Sequence, residues 1–329
     1  MNPYWNVNFF EFFGLFIQRL SLFVVGRLPL DQLTTDEIQV GALALISIAA
    51  ALIGGLLYLR RMTMLANALS HTILLGIICA FLVVVSFAPV KELSLATLDL
   101  KILLIAAFIT ALLTALCTEW LTKVMRLYSD ASIGLVFSVF FALGITLVTL
   151  QTRNTHLGIE AIMGNVDGLH LHDLKLIFWI CIADIAVIVA FFKVWHLTTF
   201  DAGLAKVLGF SPAMMGYMLM VLTSLTAIGA FRAVGAFLVL GLMIFPSLIA
   251  RLFCQRLKSM ILLAATIGAG TSLISVAVSR HCLSVFSLPL STSGLLTVLL
   301  TLFYLGALVL KQLLQLKIRK TEALTSPTQ

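Results

Sequence analysis

Between Arg60 and Gly76 the chain reads RRMTMLANALSHTILLG. Two arginines open the stretch, and a helix-favouring run then carries Asn67, Ser70 and His71 into an apolar segment that continues to about Val85. An ionisable side chain that deep in an apolar span is costly, which makes it a candidate functional group. Asn67 and His71 are spaced i, i+4 and share one helix face, with Ser70 about one residue step off it. An imidazole nitrogen, an amide oxygen and a hydroxyl side by side form a landing place for a cation. Neutral imidazole is a common ligand of transition-metal ions. The plainer alternative for His71 is a packed ring bonded to a backbone carbonyl.

Other residues with chemical potential are more isolated. Asp184 sits near the middle of another apolar run, where it is placed to neutralise an ion, pair with a buried cation or remain protonated. Pro246 removes one helix hydrogen bond from its span and is a candidate hinge. His156, His170, His172 and Asp173 lie in one loop. If that loop is extended, His170 and His172 point to one side as a capture surface. The alternative is a plain polar loop without metal contact. The five cysteines are scattered with no CxxC, so neither a disulfide framework nor a zinc knuckle is supported. The sequence has no GxxxxGK[ST] phosphate loop, HExxH or nucleophile elbow. ATP hydrolysis by that route is therefore not this chain's own, and a membrane enzyme is the weakest reading.

The elements that must position these groups are set by composition. Of 329 residues, 61% are hydrophobic and only 11% charged, so the bilayer must be most of this chain's solvent. Apolar runs of roughly 20 residues recur, each long enough to cross a hydrocarbon core as a helix. The short alternating segments of a β-barrel are not visible. The reading is an all-α polytopic bundle of about 8–9 spans. They are placed at residues 38–59, 63–86, 101–121, 131–150, 174–195, 213–230, 233–252, 260–280 and 291–311. Residues 1–37 read as an interfacial or imperfectly spanning segment, 38–312 as the transmembrane domain and 313–329 as a basic, frayed tail. Lysine and arginine gather at alternate span ends, at Arg60, Arg61, Lys123, Arg126, Lys193, Lys206, Arg251, Arg256, Lys258 and Lys311. The opposite ends hold Lys91, Lys101, Arg153, Lys175, Arg232 and Arg280. The richer set marks the cytoplasmic side. The net charge of +7 thus reads as orientation, not nucleic-acid binding.

On the cytoplasmic side, His196 to Pro212 reads HLTTFDAGLAKVLGFSP. Thr198 or Thr199 is the expected N-cap of a short helix, Gly209 its stop, and Pro212 the start of the next span. A helix too polar and too short to span looks like a docking element.

At these residues the chain resembles the membrane permeases of ATP-binding-cassette importers for zinc, manganese and iron. Such permeases carry an arginine pair and methionine followed by a Gly-Asp-Ala-Leu-Ser-His stretch. Here the corresponding residues are Arg60-Arg61-Met62 and Ala66-Asn67-Ala68-Leu69-Ser70-His71. Further similar segments are Ala131 to Gly144, Phe200 to Gly209, and Ala233 to Pro246 with Ala250-Arg251 after it, all in the right order. The resemblance implies that His71 and the residue at 67 contact the transported metal, with Ser70 and Asp184 as possible pathway residues. It implies that Phe200, Asp201, Ala205 and Gly209 belong to a helix coupling to the ATPase. The implied partners are a cytoplasmic ATP-binding subunit, an extracytoplasmic metal-binding protein and a second permease, identical or different. The implied setting is the bacterial cytoplasmic membrane, with no permanently bound cofactor. The family's acidic residue is Asn67 here, a weaker and neutral oxygen donor, and a second permease is one source of the missing acid. Two other readings are a secondary cation transporter or channel using His71 and Asp184, and an ATP-driven importer of a metal chelate with a wider path.

Overall fold

A computed structural model describes residues 3–4, 7–27, 29, 32–87, 100–152 and 166–325, apart from some side chains within its helices. All regular elements among these residues are helical. They are α1 (Phe9–Val24), α2 (Thr35–Leu59), α3 (Thr63–Phe87), α4 (Leu100–Lys123), α5 (Ser129–Thr152), α6 (Leu171–Ala190), α7 (Phe192–Phe200), α8 (Ala202–Val207), α9 (Pro212–Val234), α10 (Ala236–Phe253), α11 (Leu257–Phe286) and α12 (Thr292–Thr325). A single 3₁₀ turn at Val166–Gly168 precedes α6.

Every expected span coincides with a helix, and one departs in shape. Five helices are by themselves long and apolar enough to cross a membrane: Thr35–Leu59, Thr63–Val84, Asp130–Leu150, Leu257–Phe286 and Thr292–Leu316. The span expected at 174–195 is instead two helices, α6 and α7, bent by 65° at Phe191. The pair would make a sixth crossing, while Pro212–Ala227 and Leu238–Phe253 are shorter apolar helices. At the other end, α12 continues to Thr325, so residues 313–325 of the expected frayed tail prolong the last span as helix. Helix α1 has 16 residues, about 24 Å of rise, short of a core of about 30 Å. It lies against α11 with Phe12 buried.

Helix α2 is the hub. It packs against α6, α9, α10 and α11, and touches α3 and α7. Its start is a capping box, in which the Glu37 carboxylate accepts from the Thr34 backbone N–H at 2.9 Å. Arg280 of α11 donates from Nε to Asp36 at 2.9 Å, and the Ser47 and Ser272 hydroxyls meet at 2.7 Å. Together these contacts join α2 to α11 near one end and again deep in the bundle. Helices α3, α4 and α5 form a flank, attached through α9 to the hub. Helix α12 covers α10 and α11 on the outside.

One glycine dictates the α2–α10 spacing. A Cβ on Gly54 would stand 1.9 Å from the Met243 carbonyl oxygen, so the two backbones touch. The expected effect of Gly54→Ala is a loss of about 1–3 kcal/mol or more, since neither backbone can yield locally. Thermal unfolding in detergent would read this as a lower midpoint; an unchanged midpoint would show that the helices part more easily than this contact implies.

Candidate functional site

The residues expected to meet a cation are carried by α3, one and two turns beyond its cytoplasmic start. His71 is 8% exposed. Its ring lies 5.2 Å from Phe141 and 5.5 Å from Phe137, both on α5 and themselves stacked at 5.6 Å. The imidazole is thus held within the bundle by an aromatic wall. Asn67, one turn nearer the cytoplasm, is half-buried. Ser70 is helical, but its side chain lies outside the described residues. Behind His71 the next residue turns to a different neighbour: the Thr114 hydroxyl of α4 donates to the Thr72 hydroxyl at 3.2 Å. Adjacent positions on α3 therefore face different helices, and the imidazole is fixed on the α5 side.

Asp184 is placed elsewhere. It is fully buried on α6, a helix that packs on α2 and α9, where the Thr226 hydroxyl of α9 donates to Oδ2 at 2.6 Å. That bond ties α6 to α9 one residue before the end of the latter's apolar stretch. Among the described residues there is no group of three or more His, Cys, Asp or Glu side chains able to hold a metal ion. A histidine and an amide supply two donors, whereas a divalent transition metal takes four to six. Pro246 lies buried inside α10, which runs unbroken from Ala236 to Phe253.

The loop histidines do not meet the condition under which they would form a capture surface, since their segment is not extended. His170 is the N-cap residue of α6 and His172 lies within its first turn, so helical geometry separates the two rings. The Asp173 carboxylate accepts from the His170 backbone N–H at 3.2 Å, which makes it a helix cap. His156 lies outside the described residues.

Between α7 and α9 the expected short helix is present, but its start differs. Asp201, not Thr198 or Thr199, is the N-cap: its carboxylate accepts from the Leu204 backbone N–H at 2.9 Å. The two threonines instead belong to α7 and receive an arginine. Arg60, at the end of α2, donates from Nε to the Thr199 hydroxyl at 3.1 Å and from Nη2 to the Thr198 hydroxyl at 2.5 Å. This contact was not visible in the sequence, since both partners are 138–139 positions away. Gly209 closes α8 with φ +85°, and the Phe210 N–H reaches back to the Ala205 carbonyl at 2.8 Å. Ala205 is fully buried and seats the helix on the bundle. The outward groups are apolar: Phe200 is 57% exposed and Val207 84%, with Leu204, Leu208 and Phe210 also exposed. A cluster of exposed apolar side chains rimmed by Asp201 and Lys206 marks a contact surface, for a protein or for the membrane interface.

The arrangement matches known proteins over nearly its whole length. The sequence profile of the ABC 3 transport family fits residues 37–311. A probable metal transport system membrane protein of Chlamydia muridarum is 37% identical over 308 residues, covering 94% of each chain. The manganese transport system membrane protein MntD of Bacillus subtilis is 34% identical over 237 residues, covering 68% of this chain and 76% of that one. Among solved structures, PsaBC from Streptococcus pneumoniae, in complex with Fab, superposes with a TM-score of 0.69 at 27% identity. It covers 88% of this chain and 95% of the matched one.

Proposed function

Because the chain belongs to the ABC 3 transport family, we propose that it is the permease subunit of an ATP-driven importer. Its cargo would be a divalent transition metal (manganese, zinc or iron) carried inward across the cytoplasmic membrane. The observation that supports this reading best is the outward apolar face of α8, a docking surface on the cytoplasmic side of a chain with no phosphate loop of its own. Energy then comes from a separate ATP-binding subunit seated on Phe200 and its apolar neighbours. Asp201 and Gly209 shape the helix, and Ala205 anchors it. An extracytoplasmic metal-binding protein delivers the ion to the opposite face.

His71 and Asn67 are the metal contacts in this reading. Two donors from one chain leave a divalent ion short, so a second permease, identical or different, completes the shell together with water. Asn67 contributes oxygen without charge, which leaves the acid to the partner. Ser70 remains a pathway candidate beside them. Asp184, which accepts from Thr226 of α9, is the other pathway candidate, and Pro246 is a hinge candidate inside α10.

The test is uptake of Mn²⁺, Zn²⁺ and Fe²⁺ into vesicles holding the permease and its ATP-binding partner. Uptake of one or more of these ions requires ATP and the partner. The expected effect of Phe200→Asp is to weaken partner binding by roughly 30-fold or more, as at a truncated interface hot spot. ATP-driven uptake falls with it. Uptake that proceeds without ATP or without the partner would make the chain a secondary transporter or channel instead.

A further inference from the structure

A groove of about 890 Å³ opens between α1, α2, α6 and α11, away from both His71 and the coupling helix. Its walls are apolar, with Phe16 and Phe23 from α1 facing Phe178 and Trp179 from α6 across a floor that includes Gly41 and Ala44 of α2. Trp179 is 67% exposed in the middle of the apolar helix α6. Polar groups gather at one end only. There Arg19 donates to the Glu37 carboxylate, which also accepts from the Tyr4 hydroxyl at 2.9 Å, and Lys175 stands across the opening. Burial and the adjacent carboxylate push the Tyr4 phenol above its usual range, so it stays a neutral donor.

The dimensions and the charge fit one kind of occupant. The polar end lies at the starts of α2 and α6, the side opposite the richer arginine and lysine set, and so at the outer membrane surface. From Glu37 to Leu45 the groove follows α2 for eight residues, about 12 Å of rise, against about 15 Å for one leaflet of a 30 Å core. Arg19 and Glu37 cancel, and Lys175 leaves the rim positive. The geometry points to a binding site for an anionic phospholipid of the outer leaflet, its acyl chains filling the groove and its phosphate meeting Lys175. The lipid thereby completes the packing between α1 and the bundle, which α1's contact with α11 leaves open on the α6 side.

The experiment is native mass spectrometry of the full-length chain purified in the presence of equal phosphatidylglycerol and phosphatidylcholine. The wild type is expected to retain phosphatidylglycerol in preference to phosphatidylcholine. The expected effect of Lys175→Glu is to lower that preference about fivefold or more, the scale for one basic group near a lipid surface. Ala44→Trp fills the floor and is expected to abolish retention of either lipid. Lys175 is exposed, so its variant folds even where Ala44→Trp does not. Equal retention of the two lipids by the wild type, or an unchanged preference in Lys175→Glu, would overturn the proposal. So would a second copy or a protein segment displaced by Ala44→Trp in place of lipid. Metal uptake plays no part in this readout, so the site stands or falls apart from the transport reading.

Discussion

His71→Ala is expected to cut metal uptake by at least the roughly 10–100-fold that follows even the loss of an outer-shell partner at a metal site. The variant should still fold and still bind its ATP-binding partner. The ring occupies a site walled by Phe137 and Phe141, so its removal leaves a gap about one side chain wide on the α3–α5 face, remote from α8. Loss of uptake with intact assembly would separate an ion contact from a packing role. Phe141→Leu is the control: it disturbs the wall without removing a donor, and its uptake should stay near wild type. If His71→Ala transports normally, the imidazole is a packed side chain and the pathway runs elsewhere. Asn67→Asp makes the companion comparison. Restoring a carboxylate one turn below should tighten the ion and shift the preferred metal toward harder, oxygen-loving ions such as manganese. No change in either property would place residue 67 off the path.

The second large effect is expected at Arg60. Its guanidinium forks onto Thr198 and Thr199, and it ends the helix that leads by one turn into α3. A push on α8 therefore reaches the start of the His71 helix through α7 and this fork. Arg60→Ala should leave the ATP-binding subunit attached and hydrolysing while the metal moved per ATP falls several-fold. Arg60→Lys should not restore it, because one ammonium cannot supply two donors at fixed angles. Thr198→Val with Thr199→Val should resemble Arg60→Ala. Proportional loss of hydrolysis and uptake in all of these variants would mean that the fork only holds the fold.

The parts of this architecture that were legible in the sequence are those fixed by neighbours along the chain. Apolar length predicted the helices that are themselves long enough to span, Gly209 marked a left-handed stop, and Pro212 marked a helix start, because each acts through its own backbone. The shared face of Asn67 and His71 follows from helical spacing alone. What escaped was decided at a distance. Thr198 and Thr199 have capping chemistry, yet an arginine from α2 claims their hydroxyls and the cap passes to Asp201. The elbow at Phe191 has no glycine or proline to announce it; the residues either side are apolar and helix-compatible. For His170 and His172 the sequence left both an extended pair and a plain polar loop open, and the start of α6 at Leu171 rules out the extended pair. Phe137 and Phe141 carried a signal, being aromatic and four apart, but only the packing of α5 on α3 assigns them to the imidazole.

Where Gly54 meets Met243 there is no cushion of side chains between two main chains, and the Ser47–Ser272 and Asp36–Arg280 bonds fasten the same helix to its other large neighbour. Helices 2, 10 and 11 are thereby clamped into a keel that cannot shear internally without tearing those contacts. Movement between helices is then left to the flank of α3, α4 and α5 and to the part of α10 beyond Met243, which holds Pro246.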